Sequence, residues 1–238
     1  MPNFLILGAG KAGTTALFSY LRQHPRVFLP ERKEMRFLSG MKPNFQGPRA
    51  DGFNASIITS VEEYKRFFAN VDGADRVGDI SPDYLYYHES TIRNIKRYFD
   101  DPPKMIIVLR SPISRAFSHY CLVLRDGSEP LSFEDALEAE PERIAQNWDI
   151  LWHYGSLGYY YQSVSRFKAE FGDRLLILIY EDYSDISLAL PQICDFLGID
   201  SSFPFVVRAR FNISGVPRSR FIYDLSHRPF PGKDLIKL

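Results

Sequence analysis

The sequence predicts an α/β fold, a single domain over residues 1–238 with a central parallel sheet flanked by helices. Three observations lead there. Short apolar runs alternate with segments of helical spacing, and such alternation closes into a parallel sheet covered on both faces. "KMIIVL" (Lys104–Leu109) has the branched, unbroken apolar character of a strand buried on both sides. The chain has 238 residues, of which 45% are hydrophobic and 24% charged, which is enough to build an ordinary globular core.

The elements follow in order. Phe4–Leu7 reads as a short buried strand. Thr14–Arg22 reads as a helix, with Ala16, Leu17, Tyr20 and Leu21 at helical spacing, and His24-Pro25 ends it. Val27–Leu29 is a second short apolar run, and residues 40–59, rich in Gly, Pro and Asn, read as a loop. Ser60–Glu63 has the form of a capping box, and Tyr64, Phe67, Phe68 and Val71 make one apolar helix face after it. Lys104–Leu109 is followed by a helix from Ile113 to about Leu124, and Ser132–Glu138 reads as a short capped helix. Tyr159–Phe171 is a helix ended by Gly172, Leu175–Tyr180 a strand, and Leu188–Leu197 a helix ended by Gly198.

Charge and cysteine usage narrow the class. Formal net charge is zero, which argues against nucleic acid or an anionic membrane as partner. The distribution is uneven, with seven Lys/Arg against Asp224 and Asp234 between residues 208 and 238, a basic tail. Cys121 and Cys194 lie in apolar helical surroundings and read as reduced core residues. No apolar run approaches the roughly 18 residues of a membrane span. The expectation is a cytoplasmic protein, or a soluble catalytic domain cut from a longer chain. The five histidines are scattered, so no metal is expected.

In an open parallel sheet, ligands sit at the carboxyl ends of strands. That rule selects Gly8–Thr15, Ser81-Pro82 and Arg110–Ser118. The first stretch, "GAGKAGTT", permits three readings. Gly8, Gly10 and Gly13 match the G-x-G-x-x-G of a dinucleotide fold, with Glu31 about 20 residues on. A Walker-type triphosphate loop fails, because Thr14 stands where Lys is required. In the third reading, Lys11, Ala12, Gly13, Thr14 and Thr15 place a cation, small residues and two hydroxyls at a helix N-terminus. Free backbone N–H groups and the helix dipole favour an anion there. Thr14 and Thr15 also suit plain helix capping. "VLRSPISRAFSHY" (Val108–Tyr120) repeats the strand–turn–helix plan. Pro112 opens the helix, Arg110 offers a planar fork to a phosphate, and Ser118 a hydroxyl. Arg110 and Arg115 also suit surface charges at a helix end.

Taken together, the two stretches resemble the sulfotransferases that use 3′-phosphoadenosine 5′-phosphosulfate (PAPS). Lys11–Thr15 has the family's K-x-G-T-T form for the 5′-phosphosulfate, and "LRSPISRAFSHY" (Leu109–Tyr120) its 3′-phosphate form L-R-x-P-x-x-R-x-x-S-x-Y. "YEDYSD" and "ICDFLGID" (Tyr180–Asp185, Ile193–Asp200) look like the family's later segments, so the similarity runs from residue 4 to about 220. In motif style the chain is nearest to the carbohydrate or heparan-type and bacterial members. The resemblance implies a P-loop-like sulfotransferase fold, PAPS as donor, adenosine 3′,5′-bisphosphate (PAP) as product, and no metal. The implied acceptor carries a hydroxyl, on a glycan or another alcohol.

The resemblance also implies roles. Lys11 neutralises the leaving group, and Glu34 in "ERKEMRFL" falls where the glycan enzymes keep a glutamate base, with Glu31 the weaker candidate. Ala12, Gly13, Thr14, Thr15 and Ala16 line the donor; Arg110 and Ser118 hold its 3′-phosphate; Arg218 in "FNISGVPRSR" adds a phosphate contact. Ala16 stands where phenol-type members place Trp. Ile80 replaces the lysine of the glycan enzymes' E-K-S-P, seen here as Asp79-Ile80-Ser81-Pro82. Asp79 is left between orienting substrate or Lys11 and capping a helix, and Tyr84, Tyr86 and Tyr87 between an acceptor cleft and the core. Family members commonly continue beyond this chain's end, which implies a C-terminally short domain. Two other functions fit the same residues: a non-catalytic nucleotide-binding module and, less closely, an NAD-dependent oxidoreductase.

Overall fold

A computed structural model of the chain describes residues 1–71, 73–183 and 185–207. The basic tail and Arg218 lie outside the described residues. Five strands, β1 (Phe4–Gly8), β2 (Val27–Phe28), β3 (Arg76–Ile80), β4 (Lys104–Leu109) and β5 (Leu175–Ile179), form one parallel sheet in the order β2-β3-β1-β4-β5. The register sets Phe4 opposite Gly78 of β3 and Lys104 of β4, so β1 lies at the centre. Every residue of β1 is buried, as are Met105–Val108 of β4. Strands flanked by neighbours and covered on both faces need this continuous apolar character.

Among the described residues the helices are α1 (Thr14–Leu21), α2 (Ala50–Ala55), α3 (Val61–Arg66), α4 (His88–Tyr98), α5 (Pro112–Arg125), α6 (Phe133–Glu138), α7 (Glu140–Ala145), α8 (Tyr160–Phe171) and α9 (Leu190–Leu197). Leu17 and Leu21 of α1, Ile95 of α4, Phe167 of α8 and Ile193 of α9 share one buried cluster with the strands. A second cluster joins α5 and α6 to Trp152 and Tyr154. Its polar anchor is Glu129, which takes both Arg143 guanidinium nitrogens, at 2.7 and 3.0 Å, and the Tyr154 hydroxyl at 2.8 Å.

Three expectations require correction. The loop expected over 40–59 contains α2, held by Phe53 packing with Met41, Ile57 and Ile150. That burial outweighs the weak helix propensity of Gly52 and Asn54. The helix expected through Val71 ends at Arg66, although Tyr64 and Phe68 are both buried. Ser60 does accept from the Glu63 N–H at 3.3 Å, and its hydroxyl donates to the Glu62 carboxylate at 2.9 Å. Finally, α4 was not expected; Thr91, Ile92 and Ile95 form its buried face.

Candidate active site

The carboxyl ends of β1, β3 and β4 point the same way, so their following turns converge. The first turn runs from Gly8 to Gly13. Gly8 has φ +146°, and a Cβ there would stand 2.6 Å from the Pro82 carbonyl, so only glycine lets the first and second turns touch. Gly13 has φ +87° and leads into α1 with its Cα face against Ile186. Lys11, at φ 69°, is also left-handed. Burial, followed by the charges of Arg125 and Arg110, lowers its ammonium pKa. A cation in that position favours an anionic neighbour that restores its charge.

The third turn closes on the first. Arg110 donates to the Lys11 carbonyl at 2.9 Å, its guanidinium lies 5.0 Å from the Tyr180 ring centre, and its Nε is buried without a hydrogen-bond partner. Glu181 accepts from the Ser111 N–H at 2.9 Å, and the Tyr160 hydroxyl donates to the Arg110 carbonyl at 3.0 Å. These contacts fix the turn in place. A cleft of about 640 Å³ results, lined by Lys11, Gly13, Thr14, Thr15 and Ala16 from one side and by Arg110 and Ser118 from another.

The far wall of the cleft carries Glu34, Arg36 and Asp83. Glu34 sits at φ 55° with its N–H on the Ile80 carbonyl at 3.0 Å, so the end of β3 sets its position. Arg36 donates to the Glu34 carboxylate at 3.0 Å and to the Glu34 carbonyl at 2.8 Å, while stacking 4.7 Å from the Phe53 ring centre. Lys33 donates to the Thr15 hydroxyl at 2.9 Å and lies 3.9 Å from Glu34, joining the acid to the start of α1. Asp83 is only 3% exposed, and its Oδ2 has no partner. Burial pushes its carboxyl up to about 7; Arg36 opposes that rise and Glu34 adds to it.

Lys11, Gly13, Thr14, Thr15, Ala16, Glu34, Arg110 and Ser118, all singled out in the sequence, therefore meet in one cleft. Ala12 is fully buried in the core and offers backbone only. Glu31 is exposed and does not line the cleft. Asp79 neither caps a helix nor reaches Lys11. It is buried and accepts from Tyr64 (2.8 Å), Tyr84 (2.6 Å) and Ser81 (3.0 Å). Tyr84 is thus a core residue, with its hydroxyl on that carboxylate. Arg115 is not a surface charge: it is fully buried, donating to the Tyr154 carbonyl and, at 3.3 Å, to His119 Nδ1. Because arginine only donates, His119 Nδ1 is the acceptor, and burial with the nearby Arg115 charge holds that ring well below its usual pKa. Asp83 and the Lys33–Thr15 contact were missed. The sequence signal for Asp83 was its place two residues after Ser81, at the end of a strand.

Comparison with known proteins decides the family. The family model described as "Sulfotransferase family" matches residues 2–203. The chain belongs to the sulfotransferase family. A crystal structure of a sulfotransferase from Alicyclobacillus acidocaldarius superposes with a TM-score of 0.83 at 36% identity, covering 89% of this chain and 86% of that one. Human heparan sulfate glucosamine 3-O-sulfotransferase 3B1 is 26% identical over 201 residues, 84% of this chain and 46% of that protein. The membrane-associated sulfotransferase kil1 of Dictyostelium discoideum is 27% identical over 153 residues, 60% of this chain and 29% of its own length. The chain thus spans less than half of either curated relative. The sulfotransferase family and fold support sulfuryl transfer in general. Among the described residues no helix is long and apolar enough to cross a membrane, and no cluster of His, Cys, Asp and Glu has the make-up of a metal site.

Proposed function

We propose that this sulfotransferase moves the sulfuryl group of PAPS to a hydroxyl of an acceptor, a glycan or another alcohol, by in-line transfer. The observation that carries the reading is the bond from Arg110 to the Lys11 carbonyl, which unites two anion-binding turns in one cleft. A donor with phosphates at both ends of an adenosine suits such a pair. The Arg110 guanidinium lines the cleft at one end, and Thr14, Thr15 and the α1 N-terminus supply further donors at the other. Arg218 is assigned to a further donor phosphate, from its sequence position alone.

PAPS supplies the sulfuryl group. Glu34 takes the proton of the acceptor hydroxyl as its oxygen bonds to sulfur. Lys11 neutralises the phosphate oxygen released when the old sulfur–oxygen bond breaks. Arg36 and Lys33 hold Glu34 facing the phosphate turn. Because all these groups are fixed before the donor arrives, little reorganisation is required at the moment of transfer. PAP titration by calorimetry, followed by a labelled-sulfate transfer screen across acceptor classes, tests the reading. Failure to bind PAP, or a stronger thermal shift with NAD, overturns it. PAP binding with no transfer to any acceptor class leaves a nucleotide-binding module.

A further inference from the structure

Beside the donor cleft lies a second, smaller pocket of about 220 Å³. It meets the cleft at Gly10, Pro82 and Leu157, which line both. Its remaining wall comes from the turn after β3 and the start of α8, and includes Tyr86, His88, Ser156, Tyr159, Tyr160 and Gln162. No Asp, Glu, Lys or Arg lines it among the described residues. We propose that this pocket binds one uncharged, hydroxylated ring, a sugar unit of the acceptor.

The chemistry of the wall selects the ligand. Tyrosines offer an apolar face and a polar tip together, which suits a ring with apolar faces and hydroxyl edges. Ser156 and Gln162 add neutral donors and acceptors, and His88 adds ring nitrogens. The His88 Nε2 is buried and lacks a protein partner. At about 30 Å³ per water the space equals roughly seven waters, suited to one ring and too small for a nucleotide. A charged ligand would lose its hydration here and meet no counter-charge, a costly exchange. On the cleft side, Lys11 follows Gly10 in the chain and Arg110 is reached through the Tyr160 hydroxyl, but both line the donor cleft and neither lines this pocket.

Position selects the role. The Tyr160 hydroxyl, on the wall of this pocket, donates to the Arg110 carbonyl at 3.0 Å, and the hydroxyls of Tyr86 and Ser156, both lining residues, pair at 3.4 Å. The pocket is therefore rigidly referenced to the turns that would hold the donor. The acceptor role rests on the sulfuryl-transfer reading; the preference for a neutral ring rests on the lining alone.

Ligand-observed NMR on the full chain tests it, with methyl glucoside as neutral probe and glucuronate as its carboxylate counterpart, with and without PAP. Methyl glucoside should bind in the millimolar range, and glucuronate at least about tenfold more weakly. Tyr159→Ala and Gln162→Ala change exposed side chains, Tyr159 being 83% exposed, so both variants should fold. Each should weaken glucoside binding several-fold and leave PAP affinity unchanged. Glucuronate binding as well as the glucoside, absence of glucoside binding, or glucoside binding indifferent to both variants would overturn the proposal. Glucoside binding by a protein that fails to bind PAP would uphold the neutral pocket and sink the donor reading instead.

Discussion

Arg110 reaches across 99 positions of sequence to donate to the Lys11 carbonyl at 2.9 Å. One guanidinium thus braces the first turn while its buried Nε stays free of a protein partner. The same side chain both braces the first turn and lines the cleft.

Removing either cation should therefore weaken donor binding. Lys11→Ala and Arg110→Ala should each weaken PAP by about 10- to 100-fold, the range expected from losing a charge-assisted contact of roughly 1.5–3 kcal/mol. Arg110→Ala should also loosen the first turn, visible as faster amide exchange there. Wild-type PAP affinity in either variant contradicts the assignment.

Glu34 separates chemistry from binding. Glu34→Gln should titrate PAP as the wild type does and lose turnover by about 10²–10⁴-fold, the usual contribution of a positioned base. Unchanged turnover would remove Glu34 from that role.

Asp83 makes stability fall with rising pH. Its carboxyl, pushed up to about 7 by burial, keeps its proton in the folded chain after the unfolded chain has lost it near 4. Between those values the native state binds more protons, so unfolding free energy declines as pH rises, by on the order of 4 kcal/mol in total, and levels off above about 7. Asp149, pushed up to about 6 by burial, acts in the same direction over a narrower window. Asp83→Asn should flatten the decline and melt at a higher temperature than wild type at pH 8. A melting curve whose pH dependence is identical in the two proteins refutes this.

Gly13 tests the turn itself. At φ +87° and with Ile186 3.3 Å from any added Cβ, Gly13→Ala should cost about 1–2 kcal/mol of stability. PAP affinity should fall with it, because the first N–H groups of α1 shift. Chemical denaturation and calorimetry on one preparation read both effects.

Much of this was legible in the chain. β1, β4 and β5 announce themselves because strands buried on both faces must be apolar throughout. Lys11–Thr15 is readable because a helix N-terminus after a strand has its unpaired N–H groups wherever the rest of the chain goes. β3 was harder, since Asp79 interrupts its apolar pattern. That carboxylate is tolerable only because Tyr64, Tyr84 and Ser81 donate to it, and two of those three partners are reached through tight packing after β3 and from α3. Asp83 carried only the weak signal of its place after a strand end, and nothing local told that Lys33 would reach Thr15.

The sequence by itself determined an α/β chain with two anion-suited turns and an acid near them, since periodicity, turn residues and helix ends are local properties. The tertiary structure alone decided that Lys11 and Arg110 touch, that Asp83 is buried with a free oxygen, and that a neutral pocket opens beside the cleft. Those are consequences of strand order: only after β1 is inserted between β3 and β4 do the three turns share one edge, and burial and electric field depend on what that edge brings together.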